Sequence, residues 1–126
     1  MRNFHELKIW QKGIELVVEV YHLTTLLPGE EKFGLKSQMQ RAAISIPSNI
    51  AEGCSRESEL EFKKFLEYSI GSAFEIETQL LAVEKLKLVQ REKLEKVLPL
   101  VTEEQKMLNS FISSIKLRNK KIVPKP

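Results

Sequence analysis

The sequence predicts an all-α protein folded as an antiparallel up-down-up-down four-helix bundle. Along four segments, apolar residues recur at alternating steps of three and four, the spacing that keeps one helix face against a core. No segment shows the two-residue alternation of a strand, and the breaks between segments carry glycine or proline. Because short connections make consecutive helices antiparallel neighbours, four such segments in 126 residues predict one bundle domain.

The first helix is predicted over about residues 5–26, and Pro28-Gly29 follows where a helix would stop. Its core-facing residues are predicted to be Leu7, Trp10, Ile14, Val17 and Tyr21.

The second helix is predicted over about residues 30–53, with Gly53 in the left-handed conformation that often follows a helix end. Pro47 lies inside this helix, has no amide hydrogen and crowds the carbonyl of Ala43. We therefore expect a kink near Ala43, with a full break as the alternative. The apolar pattern of this helix consists of Leu35, Met39, Ala42, Ile46 and Ile50.

The third helix is predicted over about residues 58–87, and Ser58 with Glu61 matches a capping box at its start. Its core-facing stripe is predicted to be Phe62, Leu66, Ser69, Ala73, Ile76, Leu80 and Val83. A fourth helix, in which Pro99 predicts a second bend, carries the stripe Leu94, Leu98, Val101, Gln105, Leu108, Ile112 and Ile115.

Two of the helices carry a second apolar stripe, which predicts self-association. On the first helix it consists of Ile9, Leu16, Val20, Leu23 and Leu27, and on the third of Leu60, Phe74, Leu81 and Leu88. An exposed stripe of this size is usually an interface. The residues expected at an oligomer contact are Leu16, Val20, Leu23, Phe74 and Leu81. The alternative is that the stripes are buried within the monomer.

Polar residues form a stripe beside the apolar one on each of the two middle helices. On the second helix they are Gln38, Arg41, Ser45, Asn49 and Glu52, and on the third Ser69, Ser72, Glu75 and Gln79. Facing stripes would form a hydrogen-bonded network that fixes packing or assembly, so Asn49 and Glu52 are expected to be partly buried. The alternative is a solvated face. Gly71 is expected to permit close helix packing.

Positive charge concentrates at the carboxyl end. Residues 116–126 hold five basic and no acidic residues, which leaves 15 basic and 17 acidic residues in 1–115. We predict a bundle over 1–118 and a basic flexible tail over 119–126. Any nucleic acid is expected to bind there, because its affinity comes from many phosphate contacts. The candidate residues are Lys116, Arg118, Lys120, Lys121 and Lys125.

The residue types argue against catalysis. Aspartate is absent, the two histidines lie at opposite ends of the first helix, and no Glu-x-x-His pair exists for a di-iron site. The single cysteine, Cys54, is expected to be inert and excludes an internal disulfide. We expect no enzyme activity, metal, cofactor, small-molecule substrate or membrane span, and a cytoplasmic location.

Three stretches resemble the four-helix-bundle family of 23S ribosomal RNA intervening-sequence proteins. They are residues 4–24, FHELKIWQKGIELVVEVYHLT; residues 38–53, QMQRAAISIPSNIAEG; and residues 61–80, EFKKFLEYSIGSAFEIETQL. The family's second-helix motif is matched at Arg41, Ser45, Asn49 and Glu52, and its third-helix motif at Gly71, Ser72 and Glu75.

The resemblance implies a four-helix bundle that assembles as a homopentameric ring. Accessory variability proteins of diversity-generating retroelements are similar in fold and are thought to bind nucleic acid and a reverse transcriptase. The expected function is a non-enzymatic homo-oligomeric scaffold or adaptor that binds RNA or a nucleic-acid-handling protein. The alternative is a purely structural assembly protein with a protein partner and no nucleic-acid contact.

Overall fold

The computed structural model of the chain describes residues 2–31 and 33–122, with side chains up to residue 120, and these form four α-helices and no strand. The helices are α1 (Lys8–Thr24), α2 (Leu35–Cys54), α3 (Glu59–Lys85) and α4 (Arg91–Ile122). Single 3₁₀ turns at Phe4–Glu6 and Gly29–Glu31 precede α1 and α2.

The helices pack in chain order around a single core. Helix α2 lies against α1 and α3, and α4 closes the bundle by packing on α3 and α1. Within the described residues α1 and α3 make no helix–helix contact, so they occupy opposite corners. The predicted fold class, a four-helix bundle without strands, is confirmed.

Helix ends differ from prediction where the chain turns locally. Leu7 is extended, with φ −79° and ψ 128°, so the 3₁₀ turn before it is separate from α1. Helix α2 begins at Leu35 rather than residue 30, because residues 29–31 form their own turn. The start of α3 is as predicted: the Ser58 side chain accepts a hydrogen bond from the Glu61 amide at 3.1 Å.

Both prolines lie within continuous helices. Pro47 is buried inside α2, and Pro99 lies inside α4. A full break at Pro47, the alternative to a kink, is therefore wrong. Pro47 is buried and packs close to Gly13 of α1, and this contact offsets part of the cost of the missing amide hydrogen.

The two apolar faces of α1 are the reverse of the prediction. Leu16, Val20 and Leu23, expected at an oligomer contact, are buried in the core of the monomer. They lie on the same face as Gly13, whose missing side chain lets α1 approach α2 closely. The stripe expected to face the core is instead exposed at Ile14 and half-buried or exposed along its length. Both faces are apolar, so the pattern alone did not distinguish them.

Two glycines have the opposite roles to those predicted. Gly53 is helical rather than left-handed, and a methyl group added there would lie 2.8 Å from the Phe65 Cβ and 3.0 Å from the Phe62 Cδ1. Gly71 is exposed, and an added methyl group would meet no described atom within 4 Å. Close packing of α2 on α3 therefore depends on Gly53 and not on Gly71.

We predict that Gly53→Ala destabilises the protein by about 1–3 kcal/mol, because backbone or ring atoms must shift to admit the methyl group. The matched control is Gly71→Ala, which should stabilise the protein by up to about 1 kcal/mol through helix propensity alone. Urea unfolding followed by circular dichroism measures both. Equal effects of the two substitutions would contradict the packing described for Gly53.

Candidate assembly interface

The outer side of α1 presents an exposed apolar face. Ile14, Val18 and Tyr21 are all about 40% exposed or more and follow steps of four and three. These three residues are the α1 face. Side chains at this spacing lie one above another along a helix, so they form a continuous strip next to solvent.

The outer side of α3 presents a second face of the same kind. Leu60, Phe74 and Leu81 are between 41% and 55% exposed. These three residues are the α3 face. Phe74 and Leu81 are thus exposed, as an interface requires, and their role in a contact stays a prediction. Leu88, assigned to the same stripe, is half-buried against the core.

A groove of about 480 Å³ runs between α3 and α4 beside the α3 face. Ile70, Phe74 and Ile112 form its apolar wall, and Lys106 and Lys116 lie at its edge. Apolar clefts with a polar rim accommodate the anchoring side chains of a partner protein. The groove therefore extends the surface on which a second chain can pack.

Polar side chains join α2 to α3 on another side of the bundle. The Arg41 Nη2 donates to the Glu75 Oε2 at 2.7 Å, and the Ser45 and Ser72 hydroxyls are hydrogen-bonded to each other. Gln38 accepts a hydrogen bond from Arg41 at 2.9 Å. The two motif stripes of α2 and α3 therefore do face each other, although Arg41 remains 58% exposed.

Two residues of the predicted α2 stripe differ from each other. Asn49 is half-buried, and its side-chain amide donates to the Ser45 carbonyl at 2.8 Å. Glu52 is exposed and pairs at 3.4 Å with Arg56, which lies just after the end of α2, so the expectation that Glu52 is partly buried is wrong. It is the last residue of the stripe and lies two residues before the end of α2.

The deepest polar contact between these helices is made by Ser69. Its side chain is buried, and its hydroxyl donates to the Ile46 carbonyl at 2.9 Å. Ile46 lies one residue before Pro47, so this bond joins α3 to the part of α2 whose helical hydrogen bonding the proline interrupts.

We predict that Ser69→Ala lowers the free energy of unfolding by about 1 kcal/mol, the usual net value of a buried hydrogen bond. Glu52→Ala is the comparison, since an exposed ion pair contributes about 0–1 kcal/mol and its removal should be nearly neutral. Chemical denaturation of both variants measures the difference. A larger loss for Glu52→Ala than for Ser69→Ala would contradict this account.

The carboxyl-terminal residues expected to bind nucleic acid are in different environments. Helix α4 continues to Ile122, so residues 119–122 of the predicted flexible tail are helical. Lys116 and Lys120 are exposed, whereas the Lys121 side chain and Lys125 lie outside the described part of the chain.

Arg118 is engaged within the subunit. Its guanidinium donates to the two Glu59 carboxylate oxygens at 2.8 and 3.3 Å, and Arg2 contacts the same carboxylate at 3.1 Å. Hydrogen bonding from Arg118, with the charge of Arg2, holds the pKa of Glu59 below its usual value. These contacts join the end of α4 to the start of α3. The charge of Arg118, which the sequence predicted would bind nucleic acid, is therefore paired within the subunit.

The sequence reasoning missed one polar residue, Glu104, which is fully buried. Neither carboxylate oxygen has a hydrogen-bond partner among the described residues. Burial raises its pKa to about 8, opposed by the charge of Lys12 and aided by that of Glu103. The spacing was consistent with a core position for Glu104, because Val101, Glu104 and Leu108 follow steps of three and four.

Chemistry-bearing groups do not gather elsewhere in the described residues. No three His, Cys or Glu side chains there lie close enough to hold a metal ion. Cys54 is a buried free thiol, and burial raises its pKa, which disfavours the reactive thiolate. None of the described helices is long and apolar enough to cross a bilayer.

The fold and its surfaces define a class, that of four-helix bundles with exposed apolar side chains on their outer faces. Within this class the chain belongs to the 23S rRNA-intervening sequence protein family, whose model matches residues 5–110. The resemblance seen in the sequence is thereby confirmed.

A similar solved structure comes from Bacteroides thetaiotaomicron and is described as a protein with unknown function from the S23 ribosomal protein family. The two chains are 30% identical, the match covers 82% of this chain and 97% of the other, and the TM-score is 0.77. A comparison with curated proteins finds no match. The family and this structure share the fold, and neither description indicates an enzyme.

Proposed function

We propose that the chain is a non-enzymatic scaffold subunit that assembles with copies of itself through the α1 face and the α3 face. The observation that carries the proposal is the presence of two separate exposed apolar faces on helices at opposite corners of one bundle. Leaving both in water is unfavourable, and because these side chains are already about half-buried, covering each one contributes about 1 kcal/mol. Assembly is the simplest way to cover both.

The position of the faces favours a ring. A two-fold dimer uses the same patch on both subunits and would leave the other apolar face in water. If the α1 face of one subunit packs on the α3 face of the next, every face is covered, and the arrangement ends only when a ring closes. The number five comes from the family resemblance, since the subunit itself does not fix the rotation between neighbours.

The assembly is tested by placing charges on one face at a time. We expect Ile14→Glu with Val18→Glu, and separately Phe74→Glu with Leu81→Glu, to give folded monomers, because a charge in an apolar contact is strongly unfavourable. The control is Leu117→Glu, a residue 57% exposed on α4 outside both faces. Light scattering gives the mass, and circular dichroism checks the fold. An unchanged mass for either double variant would show that its face is not a contact.

A mixing experiment then separates a ring from a two-fold dimer. The α1-face variant keeps an intact α3 face, and the α3-face variant keeps an intact α1 face. Mixed in equal amounts, the two should form a 1:1 heterodimer and nothing larger, because only one contact can be made. Failure to associate, with both variants folded, would contradict a contact between different faces.

A second function, RNA binding, is supported by the exposed Lys116 and Lys120 on α4. One subunit offers few charges, but a ring repeats them at equivalent positions, and simultaneous contacts raise avidity by about 10²–10⁴. This part of the proposal includes a cytoplasmic location, in keeping with the free Cys54 thiol. A protein partner without nucleic acid is the alternative outcome.

We predict that Lys116→Gln with Lys120→Gln weakens binding of structured RNA and reduces its salt dependence by about two phosphate contacts per subunit engaged. The matched control is Lys85→Gln with Lys93→Gln, which removes two exposed charges near the junction of α3 and α4. Electrophoretic mobility shift across a salt series measures both. Equal affinity of the two variants, or no RNA binding by the intact chain, would favour the protein-partner alternative.

A further inference from the structure

Glu104 is buried where α4 meets α1 and α2, and its surroundings are unusual for a carboxylate. Its side chain is fully removed from solvent, and neither oxygen has a hydrogen-bond partner among the described residues. Neighbouring side chains occupy the space beside Gly13 of α1. A methyl group added to this glycine would lie 3.1 Å from the Glu104 Oε2 and 3.3 Å from the Pro47 Cβ. The carboxyl group thus packs directly on the backbone of α1.

An ionised carboxylate does not suit this position. Transferring an unpaired charge into an apolar interior is so costly that the group usually becomes neutral. A protonated carboxyl group needs an acceptor, and α2 has a backbone carbonyl that needs a donor. Pro47 has no amide hydrogen, so the carbonyl of Ala43, on the same buried face of α2, lacks its helical partner.

The charged groups around Glu104 do not neutralise it. From α1 the cation that faces it is Lys12, but the Lys12 ammonium lies 3.5 Å from the Glu15 carboxylate and 3.4 Å from that of Glu103. From α4 the neighbouring Glu103 is negative and opposes ionisation. Towards Gly13, α2 presents the apolar side chains of Ile46 and Pro47. Among the described residues, the charges that act on the pKa of Glu104 are those of Lys12 and Glu103, and α3 supplies none.

We propose that Glu104 is a neutral, protonated acid in the folded subunit, and that loss of its proton loosens the junction of α1, α2 and α4. Between pH 4.5, the ordinary pKa of glutamate, and a pH of about 8, Glu104 is protonated in the folded state and ionised in the unfolded state. Its contribution to stability is therefore complete below pH 4.5, falls as the pH rises, and is lost above about 8.

The test is urea unfolding of the full chain at a fixed protein concentration between pH 5 and 9. In the wild type, the unfolding equilibrium constant should increase about tenfold for each unit by which the pH is raised, up to the pKa of Glu104 in the folded state. The cause is that unfolding releases the Glu104 proton. Glu104→Gln, which stays neutral at every pH, should remove this component. The matched control is Glu95→Gln, an exposed glutamate on the same helix whose charge does not act on Glu104, and it should keep the wild-type pH dependence. Parallel curves for the wild type and Glu104→Gln would overturn the proposal.

A second measurement keeps the proposal testable if Glu104→Gln does not fold. Carbon-13 labelling of the glutamate side-chain carboxyl groups allows each to be titrated by NMR in the folded wild type. One carboxyl resonance should remain in its protonated position at pH 6, at which an exposed glutamate is fully ionised. A complete set of ionised carboxylates at pH 6 would overturn the proposal.

Discussion

The core of this bundle accepts one apolar stripe from each helix, and that limit determines the surface of the subunit. Helix α1 has two apolar stripes, and the one that contains Gly13 is buried because the glycine permits the closer approach to α2. Ile14, Val18 and Tyr21 lie on the outer side of α1 and remain exposed. The same limit leaves Phe74 and Leu81 of α3 exposed. The outer faces are therefore a consequence of how the core is filled.

Helix α2 is the element on which this core depends. Gly53 brings it against Phe62 and Phe65 of α3, and Pro47 lies against Gly13 of α1. The proline interrupts the helical hydrogen bonding of α2, and polar groups from neighbouring helices lie at that interruption. Ser69 of α3 donates to the Ile46 carbonyl, and Glu104 of α4 lies beside Pro47 where they meet Gly13. The part of α2 in which Pro47 interrupts the hydrogen bonding is therefore also the part that Ser69 of α3 and Glu104 of α4 approach.

Local patterns predicted local structure well. The four helices and their order followed from apolar spacing, and the Ser58–Glu61 cap followed from a motif whose two members are three residues apart. In each case the information lay within one helix or one connection. Whether the α2 and α3 polar stripes face each other was left open by the sequence, and the Arg41–Glu75 and Ser45–Ser72 contacts show that they do.

Long-range choices were not accessible in the same way. Which face of α1 is buried depends on the fit of Gly13 to Pro47 and Glu104, residues on three helices. The spacing assigned Gln105 to the core stripe of the fourth helix, whereas the fully buried residue is Glu104, and a buried glutamate without a partner is rare. Arg118 was assigned to a partner because its contact, Glu59, lies 59 residues away in sequence. In the sequence, Gly53 resembles a helix-terminating residue. Its role in close packing is visible only from the positions of Phe62 and Phe65 in the structure.

The central claim is that unlike faces on α1 and α3 join identical subunits into a closed ring. Native mass spectrometry of the unmodified chain over a wide concentration range tests it most directly. The account predicts one assembly whose mass is a fixed multiple of 14.6 kDa greater than two and does not grow with concentration. A species of 14.6 kDa alone, or a dimer that persists at every concentration, would contradict it.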